Sequence, residues 1–196
     1  MTLRDGALEA VNGLALVTGV AYAVLAARRN RLCWVAGAVS SAAAAILSGL
    51  NKLPMQAGLQ VFYVGMSVYG WWSWKRSSAA GELLIGTWPV SGHLVSAVVL
   101  TALSFATAYW LRPGNVAAWP LLDSLTTWFS LFATWLAARA KIENWLYWIV
   151  INAVMVFLFF AQQVWGMALL SVFLAVIAIA GFVAWRRRLR VQGAAA

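Results

Sequence analysis

Leu25-Ala-Ala-Arg28 recurs 111 residues later as Leu136-Ala-Ala-Arg139, and the same ungapped shift carries Trp34 onto Trp145, Gly70 onto Gly181, Trp74 onto Trp185 and Arg76 onto Arg187. Leu59, Val61 and Phe62 fall on Leu170, Val172 and Phe173. Over residues 12–76 the shift gives 16 identities in 65 positions. Apolar composition inflates such a count, but it does not place tryptophan, arginine and glycine together at the ends of apolar runs. The chain reads as a duplication.

The duplicated unit is a set of membrane spans. The chain is 64% hydrophobic and 10% charged, with a mean hydropathy of +0.82, whereas a soluble domain is about half apolar and a quarter charged. Apolar runs of about 18 residues mark bilayer-crossing helices. Seven are expected, at about 8–27, 33–50, 54–74, 93–111, 122–138, 144–162 and 166–185. Helices 1–3 are then repeated as helices 5–7. Three is odd, so a linking fourth helix is needed for the second unit to enter the membrane in the same direction. The expected fold is an all-α integral membrane protein of two parallel three-helix repeats joined by a linking helix (3+1+3). Its parts are 1–76, a linker and fourth helix over 77–118, the second repeat over 119–190, and a cytoplasmic tail over 191–196. Internal repeats of this kind are typical of transporters. The first run is long, ends at Arg28 and Arg29 and is followed by six more, so it is read as a span and not a cleaved signal.

Charge sets the orientation. Arg4, Lys52 and Arg112 fall on one side of the seven spans, three in all, and the other eleven Lys and Arg on the opposite side. Positive loops stay inside, which places the amino terminus outside and the carboxyl terminus in the cytoplasm. The net charge of +9 is thus spread over loop ends as topology signals and head-group contacts, which argues against a nucleic-acid surface. The Arg186–Arg190 cluster reads as a membrane stop. The single cysteine, Cys33, excludes a cysteine metal cluster and reads as a small core residue. No cofactor is expected.

Polar residues inside the spans carry the functional signal. Residues 141–152 read Lys-Ile-Glu-Asn-Trp-Leu-Tyr-Trp-Ile-Val-Ile-Asn, which puts Trp145, Trp148 and Asn152 on one helix face. Gln60, Tyr63 and Ser67 hold the same spacing in helix 3, and Asp123, Thr127, Ser130 and Thr134 form a stripe in helix 5. Polar side chains facing lipid are costly, so these stripes are expected to face the bundle interior. Their duplicated partners differ: Gln60 matches Ser171, Trp148 matches Gly37 and Asn152 matches Ser41. Ser130 and Thr134 fit simple bonds to backbone carbonyls. Trp71, Trp72 and Trp74 read as interface belt and cap, and Trp145 as partly interfacial. Glu143 and Asn144 open helix 6 as capping residues, and His93 reads as a boundary residue. Trp148 and Asn152 lie deeper and carry more of the functional weight.

Asn144-Trp145-x-x-Trp148-x-x-x-Asn152, Leu59-Gln60-Val61-Phe62-Tyr63, Tyr69-Gly70-Trp71-Trp72-x-Trp74, Leu25-Ala-Ala-Arg28-Arg29-Asn30 and Asp123-Ser124 together resemble the PnuC family of bacterial vitamin B3 transporters. The likeness covers essentially the whole chain. It implies a fold related to the SWEET sugar transporters, a homotrimer in the bacterial inner membrane, and uptake of nicotinamide riboside by facilitated diffusion. It also implies that a cytoplasmic nicotinamide riboside kinase traps the substrate. The family's substrate-lining roles carry over to Trp145, Trp148, Asn152 and Gln60. This chain departs from the family at Ser40, where members have Asn, and at Gln163, often Gly. Thiamine-type relatives often carry Asp near position 152, so Asn152 favours nicotinamide riboside over thiamine.

The chemistry of the residues agrees. Nicotinamide riboside offers a cationic flat ring to an indole face, and Gln60, Asn152 and Thr127 can bond its amide and hydroxyls. Thiamine or another aromatic cationic vitamin would use the same tryptophans. Asp5, Glu9, Glu82, Asp123 and Glu143 all sit in loops or near helix ends, and the chain has no nucleotide-binding loop. Ion coupling usually leaves a carboxylate deep in a helix, so a uniporter is expected. A lone boundary histidine gives no hydrolytic centre. The three lysines lie at span ends, which excludes a retinal Schiff base.

Overall fold

The computed structural model describes residues 3–50, 54–79, 82–111 and 119–194. Lys52 and Arg112 of the charge count lie outside them. Seven helices follow in order: α1 (Leu3–Ala27), α2 (Leu32–Leu50), α3 (Pro54–Arg76), α4 (Val90–Leu111), α5 (Pro120–Ala138), α6 (Asn144–Ala161) and α7 (Trp165–Ala194). Between α3 and α4 a two-residue antiparallel ribbon, β1 (Ser78–Ala79) with β2 (Glu82–Leu83), pairs Ser78 with Leu83 and Ala79 with Glu82. The apolar runs did not signal this ribbon. Among the described residues, five helices are long and apolar enough to cross a bilayer: α1, α2, α4, α6 and α7. α3 and α5 are absent from that set. They are the two helices that carry the Gln60–Ser67 and Asp123–Thr134 stripes.

The chain divides into two compact units at Leu84 and Ile85. In the first, α2 packs between α1 and α3; in the second, α4 packs on α5, α5 on α6 and α6 on α7. The expected linking helix therefore groups with the second unit. Trp128 of α5 donates its indole N–H to the Thr107 hydroxyl of α4 at 3.0 Å, a polar tie between two helices.

Local geometry recurs at the 111-residue shift. α1 ends with Arg29 at φ 59°, bonded to the Ala26 carbonyl, and Asn30 N–H bonded to the Leu25 carbonyl at 2.9 Å. α5 ends with Ala140 at φ 51°, bonded to Ala137, and Lys141 N–H bonded to Leu136 at 2.9 Å. This is the Schellman pattern, which caps the last carbonyls of a helix with a left-handed residue. After each turn the chain re-enters a helix through Trp34 or Trp145, both buried. Trp34 meets Trp74 edge-on at 5.5 Å and 86°, and Trp145 meets Trp185 at 5.6 Å and 84°. Each indole lies against a glycine. A Cβ on Gly181 would stand 2.8 Å from the Trp145 ring, and one on Gly70 would overlap Trp34.

Two sequence expectations change here. Trp74 is no interface residue: it is 1% exposed and locks on Trp34. Its neighbours do sit at the surface with cations, Arg31 over Trp71 at 5.0 Å and Arg76 over Trp72 at 3.8 Å. Glu143 does not cap α6 with its side chain. Its Oε1 accepts the Trp88 backbone N–H at 3.0 Å, while Asn144 Nδ2 bonds back to the Lys141 carbonyl at 2.6 Å. The connection before α4 takes that carboxylate because it runs along the α5–α6 turn. Gly86 N–H bonds to Ala140, Ile142 N–H bonds to Gly86, and Lys141 Nζ donates to the Thr87 carbonyl. Cys33 is fully buried, as its core reading requires.

The α6–α7 turn repeats the same cap with Gln163 at φ 59°. A left-handed residue with a Cβ costs about 1–2 kcal/mol, so glycine would be the unstrained residue there. Gln163→Gly is expected to hold or raise the unfolding temperature in detergent, and Gln163→Val to lower it. Gly70→Ala and Gly181→Ala should each lose about 1–3 kcal/mol through overpacking against a rigid indole. Gly65→Ala, where a Cβ meets nothing within 4 Å, serves as the control and should lose nothing in the same thermal scan.

Candidate functional site

In the second unit the site begins with how α6 is set. The Schellman turn fixes where the helix starts, and the Trp145 indole is wedged between Gly181 and Trp185 of α7. Trp145 is 4% exposed. Its aromatic faces are taken by protein, as those of its counterpart Trp34 are. One turn on, Trp148 is half-buried and its indole N–H makes no hydrogen bond among the described residues. Asn152 is buried and donates from Nδ2 to the Trp148 carbonyl at 2.7 Å, a bond that fixes the amide and leaves its oxygen as an acceptor. α6 thus presents an indole and an oriented amide oxygen on the face that Trp145 anchors.

α5 contributes less than its stripe promised. Asp123 is exposed in the first turn of α5, where a carboxylate suits the positive end of the helix dipole. Ser130 bonds the Thr126 carbonyl and Thr134 bonds the Ser130 carbonyl, as the simple structural reading expected. Thr126, not singled out in the sequence, bonds Leu122 and Asp123 carbonyls in the same way. Thr127 is half-buried and makes no such bond. The rings that join α5 to α6 are Phe129 and Phe132 against Tyr147, on sides of the helices roughly opposite the polar stripes.

In the first unit, Gln60 and Tyr63 are half-buried on α3 and Ser67 is buried, its hydroxyl bonded to the Tyr63 carbonyl at 2.9 Å. The counterpart of Trp148 is Gly37, and the space an added Cβ would enter is already bounded by Tyr22 at 3.0 Å and Ser67 Oγ at 3.2 Å. Ser40, the departure in helix 2, spends its hydroxyl on the Ala15 carbonyl of α1 at 2.7 Å. Its role is to tie two helices. Ser171, counterpart of Gln60, bonds the Met167 carbonyl. The two units share a scaffold and differ in which positions carry a free polar group.

Among the described residues no group of three His, Cys, Asp or Glu could hold a metal ion. Nothing in either stripe forms a nucleophile with its base.

Comparison with known proteins agrees with this architecture. The family model described as "Nicotinamide mononucleotide transporter" matches residues 9–187. The nicotinamide riboside transporter PnuC of Escherichia coli (strain K12) is 27% identical over 164 residues, 70% of this chain and 69% of the relative. The riboflavin/roseoflavin transporter RibM of Streptomyces davaonensis is 26% identical over 118 residues, 57% of this chain and 54% of that one. The crystal structure of the vitamin B3 transporter PnuC superposes with a TM-score of 0.73 at 21% identity, covering 92% of this chain and 82% of that one. A family match over residues 9–187, on seven helices with apolar spans, shows that the chain belongs to the nicotinamide mononucleotide transporter family of multi-pass membrane transporters.

Proposed function

We propose that this chain carries nicotinamide riboside across the bacterial inner membrane by facilitated diffusion. The observation that carries the reading is the family match over residues 9–187 together with the nicotinamide riboside transporter of Escherichia coli at 27% identity. The half-buried Trp148 indole suits a cationic pyridinium ring, a contact of about 0.5–2 kcal/mol. The Asn152 amide oxygen accepts from the carboxamide N–H, and Thr127 supplies a further hydroxyl. A substrate role for Gln60 follows from the family resemblance, with Tyr63 and Ser67 at the matching spacing on α3. Asp123 adds negative charge near one end of the stripe. Trp145 supports the site by holding α6, with Trp148 making the contact.

The choice between riboside and mononucleotide follows from charge. A phosphate is bound by Arg, Lys or backbone N–H groups, and the stripes of α3, α5 and α6 contain no Lys or Arg. A riboside needs none. The riboflavin transporter relative favours a second reading, another flat aromatic vitamin on the same scaffold; thiamine belongs to that class.

The organisation proposed is 3+1+3 with parallel repeats, supported by the matching turns and tryptophan pairs 111 residues apart. The distribution of Lys and Arg supports an outside amino terminus and a cytoplasmic carboxyl terminus. A homotrimer and trapping by a cytoplasmic kinase follow from the family resemblance.

Calorimetry of the purified protein with nicotinamide riboside, its mononucleotide, thiamine and riboflavin tests the substrate. The riboside is expected to bind tightest, and exclusive binding of thiamine or riboflavin overturns the assignment. Trp148→Ala should weaken riboside binding about tenfold or more, or about 1.4 kcal/mol, with little change in unfolding temperature. Trp145→Ala should instead cost about 3–5 kcal/mol of stability, as a buried indole does; wild-type affinity in Trp148→Ala would remove that residue from the site. In proteoliposomes, labelled riboside should equilibrate and not accumulate. Accumulation driven by an imposed proton or sodium gradient would show coupling and refute uniport.

A further inference from the structure

The second unit holds a cavity of about 370 Å³ between α4, α5 and α6, with His93, Phe129, Glu143, Leu146, Tyr147 and Val150 in its lining. Leu146, Tyr147 and Val150 lie on the side of that helix away from Trp148 and Asn152, with Ile151 at the margin, so the cavity is centred away from the stripe proposed to bind substrate. The walls are apolar and aromatic. Tyr147 stacks on His93 at 5.7 Å and on Phe129 at 6.0 Å, both at 29°. Leu146 and Val150 at its edge are 45% and 63% exposed, which on a membrane span means open to lipid.

Charged and polar groups gather at one end. His93 Nδ1 lies 2.9 Å from the Tyr147 hydroxyl. With that hydroxyl assigned as the donor, the ring proton sits on Nε2, which is buried without an acceptor. Glu143 Oε1 takes the Trp88 N–H, and its Oε2 is buried without a donor. Lys141, two residues earlier, lies outside the lining and donates from its ammonium to the Thr87 carbonyl at 2.9 Å. The counterparts 111 residues earlier of Phe129, Glu143, Leu146, Tyr147 and Val150 are Thr18, Leu32, Val35, Ala36 and Val39. None is aromatic or charged, so this set is not a requirement of the repeated scaffold.

We propose that the cavity binds one phospholipid with a primary-ammonium headgroup, phosphatidylethanolamine. An acyl chain lies against Phe129, Leu146 and Val150. Glu143 turns its unpaired oxygen to the ammonium, and His93 Nε2–H donates to the phosphate. A zwitterion matches a carboxylate oxygen without a donor and a ring N–H without an acceptor in one cavity. An unpaired carboxylate oxygen requires N–H donors, which the quaternary headgroup of phosphatidylcholine lacks, and it repels a net-anionic headgroup such as phosphatidylglycerol. The proposal rests on the membrane-spanning fold and not on the identity of the substrate.

Native mass spectrometry of the full-length protein, titrated with dioleoyl phosphatidylethanolamine, phosphatidylcholine and phosphatidylglycerol, tests it. Retention of one phosphatidylethanolamine should exceed that of the other two by roughly tenfold, the range of a charge-assisted hydrogen bond. Glu143→Gln keeps the acceptor for Trp88 and should bring phosphatidylethanolamine down to the phosphatidylcholine level. Val150→Trp, which fills the cavity, should reduce retention of all three. Equal retention of the three lipids overturns the proposal, as does unchanged phosphatidylethanolamine binding in Glu143→Gln. A Val150→Trp protein that changes oligomeric state while keeping its lipid would make the cavity a seam between copies and overturn it too. A thermal scan of each variant in detergent shows that it is folded before its lipid is counted.

Discussion

An indole pressed against a glycine is the contact on which the rest depends. Trp34 on Gly70 and Trp145 on Gly181 each let two helices approach to a ring's thickness, and a third aromatic edge, Trp74 or Trp185, closes the wedge. In lipid no hydrophobic force drives helices together, so close packing of small residues against large ones has to supply the cohesion. The same contact sets the rotation of α2 and α6 about their axes, because the indole has to face the glycine to pack there. Every other side chain on those helices inherits its direction from that setting.

The proposed function is built on the difference between the two copies of this lock. In the first unit the position of Trp148 is Gly37, and Tyr22 and Ser67 close the space. In the second unit the position carries an indole free of hydrogen bonds, with Asn152 held one turn further on by its bond to the Trp148 carbonyl. A duplicated scaffold can thus hold one place shut and leave the other to the proposed ligand without changing the helix frame. The opposite side of α6 shows the same divergence, with Glu143, Tyr147 and their cavity where the first unit has Leu32 and Ala36.

Much of the candidate site was legible because helical period and polarity are local. Trp148, Asn152, Gln60 and Ser67 could be placed on faces by counting, and Ser130 and Thr134 could be assigned to backbone bonds from residue type alone. What failed were the readings that depended on partners distant in sequence. Trp74 looked interfacial because it stands beside Lys75 and Arg76, yet its ring turns inward to Trp34. Glu143 looked like a cap because it precedes a helix, yet its carboxylate serves a backbone N–H 55 residues away at Trp88. Nothing in residues 84–89 marks that they pair with the α5–α6 turn, since backbone hydrogen bonds leave no trace in side-chain pattern.

By itself the sequence determined the class of the protein. Its apolar runs, the 111-residue repeat and the polar stripes are properties of one chain and one period, and they require membrane helices with functional groups on chosen faces. Only the tertiary structure decided that Trp34 and Trp145 are wedges while Trp148 keeps its indole N–H unbonded among the described residues. It also decided that Ser40 ties α1 to α2, and that Gln163 occupies a left-handed turn where glycine is the unstrained choice. The physical reason is that an indole's role depends on what its faces meet, and those neighbours come from helices far apart in sequence.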